Sequence, residues 1–97
     1  MIIIDKLVKN FSNRNGETPI GVVIHIAEGT AEQVASTFRN EEKSSHYLIC
    51  RTGEIWRFVP EDLAAWSQGI KMNPSAQIVL DRPNANPNSY LISIEHE

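Results

Sequence analysis

The chain has 97 residues, a length typical of one domain, and a net charge of -3 with histidine taken as neutral. That charge gives no basic face for nucleic acid and no electrostatic attraction to an anionic membrane, so neither partner is expected. A single cysteine, Cys50, excludes an internal disulfide, and the apolar start at residues 2–4 is too short for a signal peptide. We therefore expect a soluble chain with no export signal of its own.

The first half of the chain predicts a loop, a strand and a helix. Asn, Gly and Pro in residues 10–20 indicate the loop. Residues 20–26 are almost all apolar and mostly β-branched, which is typical of a strand buried on both faces. Thr30 and Gln33 have capping-box spacing, so a helix is expected over residues 31–39.

A hairpin is predicted next in the chain. Residues 45–51 and 54–59 are strand-like, and the Thr52-Gly53 pair between them is typical of a tight turn. Residues 61–66 follow a proline and indicate one short helical turn.

The remaining residues predict a loop and a final strand. Residues 71–89 are rich in Asn and Pro, which indicates a long irregular loop, and residues 90–96 are strand-like. Together these elements predict an α/β fold, a mixed β-sheet flanked by helices, in a single domain over residues 1–97.

His25 stands near the end of the first apolar strand. Strand alternation puts it on the face of Val23, opposite Val22 and Ile24. A histidine among apolar side chains costs free energy unless it is hydrogen-bonded or binds a metal. Residue type alone leaves both interpretations open, a core histidine bonded to a backbone carbonyl or a metal ligand.

Glu95 is the second candidate, in the last predicted strand on the face of Leu91 and Ser93. Burial in an apolar strand raises the pKa of a carboxylate toward the range that a general base needs near neutral pH. The small Ser93 leaves room above the sheet for a ligand. The alternative is a carboxylate at the strand end that faces solvent.

Three further side chains are candidates for a site. His46 shares a strand face with Leu48 and Cys50, but spacing of four residues on a strand separates His46 from Cys50 by about 13 Å. Cys50 is therefore expected to be a buried structural thiol and not a metal ligand. Trp66, at a loop edge, is either a core residue or a surface on which a ligand stacks.

Five motifs in chain order resemble those of zinc-dependent N-acetylmuramoyl-L-alanine amidases and the related peptidoglycan recognition proteins. They are V-V-I-H at 22–25, S-S-H-Y-L-I at 44–49, R-T-G-E-I at 51–55, V-P through A-W at 59–66, and I-S-I-E at 92–95. Each motif alone is weak, but the ordered set is specific. The resemblance extends over only the first part of the family's domain.

The resemblance implies a peptidoglycan hydrolase that uses zinc-activated water to cleave the amide between N-acetylmuramic acid and the L-alanine of the stem peptide. It assigns His25 as a zinc ligand and Glu95 as the catalytic residue, and it places His46 and Trp66 at the substrate groove. Peptidoglycan or muramyl peptides would be the partner, and the enzyme would be cytoplasmic or phage-encoded, acting on the bacterial cell wall.

The same resemblance implies an incomplete catalytic domain, truncated at its C-terminus. The second and third zinc ligands are expected beyond residue 97, so the chain alone is expected to be inactive. One face of its sheet is expected to lack covering helices.

Two other functions remain open at this stage. Some relatives of these amidases only recognise peptidoglycan, and an unrelated interaction domain would need His25 and Glu95 only for packing. Of the three functions, only the enzyme needs a general base, so the presence of Glu95 favours hydrolysis over the two others. One departure concerns substrate contacts, because Ser67 stands where the family often has a histidine after its tryptophan.

Overall fold

A computed structural model describes residues 2–68 and 76–97. The strands are β1 Ile3–Asp5, β2 Phe11–Ser12, β3 Gly21–Ile26, β4 Tyr47–Ile49, β5 Ile55–Arg57, β6 Ala64–Ala65 and β7 Leu91–His96. The helices are α1 Ala31–Asn40, the four-residue α2 Gln77–Leu80 and a single 3-10 turn, Pro87–Ser89. Within these described ranges, no helix is long and apolar enough to cross a membrane.

Five strands form one mixed sheet in the order β1-β5-β4-β7-β3. β7 pairs in parallel with both β3 and β4, β1 pairs in parallel with β5, and β4 and β5 form the antiparallel pair. The short strands β2 and β6 pair separately as an antiparallel ribbon. This topology confirms the predicted mixed α/β sheet and the predicted pairing of β4 with β5.

Helix α1 begins at the predicted capping box. The Thr30 side chain accepts a hydrogen bond from the backbone N–H of Gln33, and the Gln33 side chain accepts one from the backbone N–H of Thr30. Val34 and Phe38 face the sheet, and Phe38 meets Phe58 edge to face with ring centroids 5.0 Å apart. Helix α1 therefore covers the inner face of the sheet, where the core lies.

The prediction that the first apolar strand is buried on both faces is wrong. β3 lies at the edge of the sheet, and alternate residues of β3 face outward. These outward residues are Val22, Ile24 and Ile26, which are 58%, 62% and 79% exposed. An edge strand with one covered face alternates between half-buried and exposed positions, and the apolar run of the sequence does not reveal which face is uncovered.

Several shorter predictions also need correction. Residues 61–66 contain a turn and then strand β6, and not a helical turn. The loops predicted at 10–20 and 71–89 contain β2 and α2, while residues 71–75 of the second loop lie outside the described residues. The strand β1 was not predicted.

Glu97 ties the end of β7 to α1 and to the turn after β4. Its two carboxylate oxygens accept hydrogen bonds from the backbone N–H groups of Arg51 and Ala31, each at 2.8 Å. These bonds, led by that from Arg51, lower the pKa of Glu97. The bond from Ala31 also satisfies a free N–H group in the first turn of α1.

Replacement of Glu97 by Gln is expected to lower the free energy of unfolding at neutral pH, because a neutral amide oxygen is a weaker acceptor for these two N–H groups. Because the folded pKa lies below the ordinary value of 4.5, the stabilisation is present above that pH and is lost as the pH falls below it. Urea unfolding of wild type, Glu97→Gln and the exposed control Glu42→Gln tests this. Equal stability of all three at neutral pH would contradict it.

The outward face of β3 is expected to promote self-association, because contiguous exposed apolar side chains on an edge strand favour pairing between copies. Ile24→Lys should therefore reduce association measured by sedimentation, while costing less than about 0.5 kcal/mol of stability, as surface substitutions usually do. Asn84→Lys, at an exposed loop position, adds the same charge as a control. An equal effect of the two lysines would attribute the change to net charge alone.

Candidate functional site

His25 and Glu95 lie directly opposite each other on the parallel strands β3 and β7. Neighbouring strands are about 4.8 Å apart, and partners in register project from the same face of a sheet. Both side chains therefore stand together on the inner face, one residue before the C-terminal end of each strand. Such proximity is what a shared site for the two residues requires.

The two side chains open into one cleft between the strand ends and helix α1. The described residues that line it include Thr37 and Phe38 from α1, with Lys43 from the loop after the helix. Ligands of open α/β sheets usually bind beyond the carboxyl ends of parallel strands, which is where this cleft lies. The cleft volume is about 270 Å³.

Burial in this cleft raises the pKa of Glu95 above its ordinary value of 4.5. The neighbouring His25 and His96 oppose that rise when they are charged. A carboxylate with a raised pKa holds a proton more readily than one in water, which is the property that a general base needs near neutral pH.

Gln68 contacts His25 from the loop that follows β6. Its side-chain amide lies 3.1 Å from Nε2 of His25 and donates a hydrogen bond to that nitrogen. The side-chain oxygen of Asn88 accepts hydrogen bonds from the backbone N–H groups of Ser67 and Gln68, at 3.2 and 2.8 Å. These hydrogen bonds from Asn88 fix the backbone of the loop in a position where the Gln68 side chain reaches the His25 imidazole.

His46, which the resemblance places at the substrate groove, is buried in this structure. Its side chain is 1% exposed, and its ring nitrogens are bonded to the backbone of Ser93 and Leu63. Trp66 is half-buried and its Nε1–H donates to the hydroxyl of Ser12 at 2.8 Å. Neither residue is among the described residues that line the cleft, and a groove role for either of them stays a prediction.

Sequence reasoning missed Arg14, which is 5% exposed. Its guanidinium donates to the backbone carbonyls of Glu61, Ser89 and Leu91, and lies 3.2 Å from the ring of His46. Desolvation lowers its pKa. In the sequence Arg14 stands among Asn and Ser residues of a polar loop, so no local signal marks it as buried.

The donor set for a metal is incomplete among residues 2–68 and 76–97, which hold no group of three or more His, Cys, Asp or Glu side chains placed to bind one ion. His25 and Glu95 supply one imidazole and one carboxylate. A catalytic zinc site takes about three protein ligands and one open position. The described residues therefore fit part of such a site and not the whole of it.

Comparison with known proteins identifies the family and the fold of this chain. The sequence profile described as N-acetylmuramoyl-L-alanine amidase matches residues 15–97, so the chain belongs to this amidase family. A crystal structure of a selenomethionine derivative of AmpD superposes with a TM-score of 0.76 at 23% identity, which shows a shared fold. The match covers 97% of this chain and 60% of the AmpD chain. Among curated proteins, no sequence matches significantly.

Replacement of Asn88 by Ala is expected to release Gln68 from His25, because it leaves the N–H groups of Ser67 and Gln68 without their acceptor. Loss of an acceptor costs about 1–3 kcal/mol of stability for buried donors, and less is expected for these two because they are only partly buried. Nuclear Overhauser contacts between the Gln68 side-chain amide and the His25 ring should disappear. Asn84→Ala, in the same segment but exposed, is the control. Persistence of those contacts in Asn88→Ala would show that another interaction places Gln68.

Proposed function

We propose that this chain carries the first part of the active site of a zinc-dependent N-acetylmuramoyl-L-alanine amidase, which cleaves the amide between N-acetylmuramic acid and L-alanine. The observation that carries the proposal is the register of His25 with Glu95 in a cleft at the strand ends. Membership of the amidase family supports the same reaction. The substrate would be peptidoglycan or a muramyl peptide.

In this proposal Glu95 is the general base and then the general acid. Its carboxylate takes a proton from the water that attacks the amide carbonyl, and it passes the proton to the amine of the departing alanine. The raised pKa of Glu95 favours the first transfer, because its carboxylate accepts a proton more readily than a carboxylate in water does.

His25 would supply one zinc ligand, and two further ligands are expected beyond residue 97. Zinc, when bound, supplies a Lewis acid that polarises the scissile carbonyl and lowers the pKa of water. Gln68 donates to Nε2 of His25, which uses the single free lone pair of a neutral imidazole, so a metal ion would bind His25 only in place of this hydrogen bond.

Glu95→Gln tests the role of the carboxylate in a chain extended to the full length of the family's domain. The amide has nearly the same shape but cannot take the proton, so hydrolysis should fall by about 10²–10⁴. Zinc content should stay at the level of the unsubstituted chain. Retained hydrolysis of a muramyl-L-alanyl peptide by this variant would move the general base elsewhere.

The 97-residue chain alone is expected to bind zinc weakly and not to hydrolyse muramyl peptides, because two of three ligands are missing. Calorimetric zinc titration and a peptide-release assay on the short and extended chains test this. Stoichiometric zinc with hydrolysis by the short chain would contradict it. If the extended chain binds muramyl peptide and zinc but releases no peptide, the chain belongs to a recognition module.

A further inference from the structure

His46 is a buried titratable side chain that the proposed reaction does not use. It immediately precedes β4, and Ser93 lies beside it on β7. The backbone N–H of His46 donates to the carbonyl of Ser93 at 3.1 Å, with the Ser93 hydroxyl 3.3 Å away. In return, the backbone N–H of Ser93 donates to Nδ1 of His46, also at 3.1 Å. Each residue thus holds the other through its backbone N–H.

The partners of the His46 ring determine its protonation state. Nδ1 accepts the Ser93 N–H, so Nδ1 carries no proton, and Nε2 donates its proton to the carbonyl of Leu63 at 2.8 Å. Arg14, 3.2 Å from Nε2, disfavours a second positive charge on the ring. Burial lowers the pKa of His46 further than the charge of Arg14 does. A neutral ring with its proton on Nε2 satisfies the contacts with Ser93 and Leu63, and Nε2 then accepts no hydrogen bond from Arg14.

The contact at Ser93 lies two residues before Glu95 on the same face of β7. Two residues is one strand repeat, so Ser93 is the nearest residue to Glu95 on that face of β7. Arg14 holds the start of the same strand through the carbonyls of Ser89 and Leu91. β7 is therefore anchored on its inner side up to Ser93, and Glu95 extends from that anchor into the cleft.

We propose that His46 is a positioning residue for Glu95, acting through the hydrogen bond from the Ser93 N–H to Nδ1. Its importance for hydrolysis rests on the proposed role of Glu95, but the positioning itself is a property of this chain. In the wild-type chain the bond predicts a scalar coupling across the hydrogen bond between the Ser93 amide nitrogen and Nδ1 of His46. It also predicts that the backbone amides of Ser93 and Glu95 exchange with solvent through the same local opening of β7. Their opening free energies should therefore be equal.

A matched pair of variants separates positioning from packing. In His46→Asn, the side-chain oxygen sits close to the place of Nδ1 and can still accept the Ser93 N–H. In His46→Gln, the longer amide reaches toward the Leu63 carbonyl but leaves the Ser93 N–H without its acceptor. Exchange is measured relative to the Phe38 amide of α1, which corrects for any loss of global stability.

The expected result is selective. His46→Gln should speed hydrogen exchange of the Ser93 amide about tenfold or more relative to the Phe38 amide, which is the factor expected for one lost buried hydrogen bond. The same variant should weaken the Overhauser contacts between His25 and Glu95. His46→Asn should keep both near wild type. Equal behaviour of the two variants would show a packing role only and overturn the proposal.

The wild-type measurements decide the case if neither variant folds. Absence of the nitrogen–nitrogen coupling, or separate opening free energies for Ser93 and Glu95, overturns the proposal, and their presence supports it. None of these readouts depends on hydrolysis of peptidoglycan. Failure of the extended chain to hydrolyse muramyl peptides would therefore refute the proposed function and leave the positioning by His46 to be judged on the spectra.

Discussion

The parallel pairing of β3 with β7 is the constraint on which the site depends. Its register sets His25 against Glu95, and alternation of side chains puts both on the inner face. A slip by one residue would turn Glu95 to the outer face and bring His96 into the cleft. Arg14 hydrogen-bonds the start of β7 and His46 hydrogen-bonds its middle. These bonds help to keep β7 in that register.

The two faces of the sheet have different environments. The inner face packs against α1 and holds the core, and at its edge it holds the polar pair in the cleft. The outer face of β3 presents three apolar side chains to solvent. Burial on the inner side is what raises the pKa of Glu95, so the chemistry of the site follows from the same packing that stabilises the fold.

The sequence predicted the parts whose signal is local or periodic. The capping box at Thr30 located α1, alternation placed His25 and Glu95 on the correct faces, and the turn at Thr52-Gly53 located the β4–β5 pair. The strands β1, β2 and β6 have two or three residues each, too few for a periodic pattern to form.

Contacts between distant parts of the chain explain the other differences. Arg14 is buried because three backbone carbonyls that are distant in sequence accept its hydrogen bonds. Gln68 contacts His25 because the Asn88 side chain hydrogen-bonds the backbone of the loop that carries Gln68. The resemblance to the amidases identified the His46 motif but not its environment, because a motif does not state which atoms its histidine meets. The position of β3 at the sheet edge likewise follows from topology and not from its composition.

The central claim is that Glu95 sits desolvated in the cleft opposite His25. A carbon-13 NMR titration of the Glu95 side-chain carboxyl tests it most directly. The account predicts a Glu95 pKa above its ordinary value of 4.5. A Glu95 pKa equal to or below 4.5 would contradict the account.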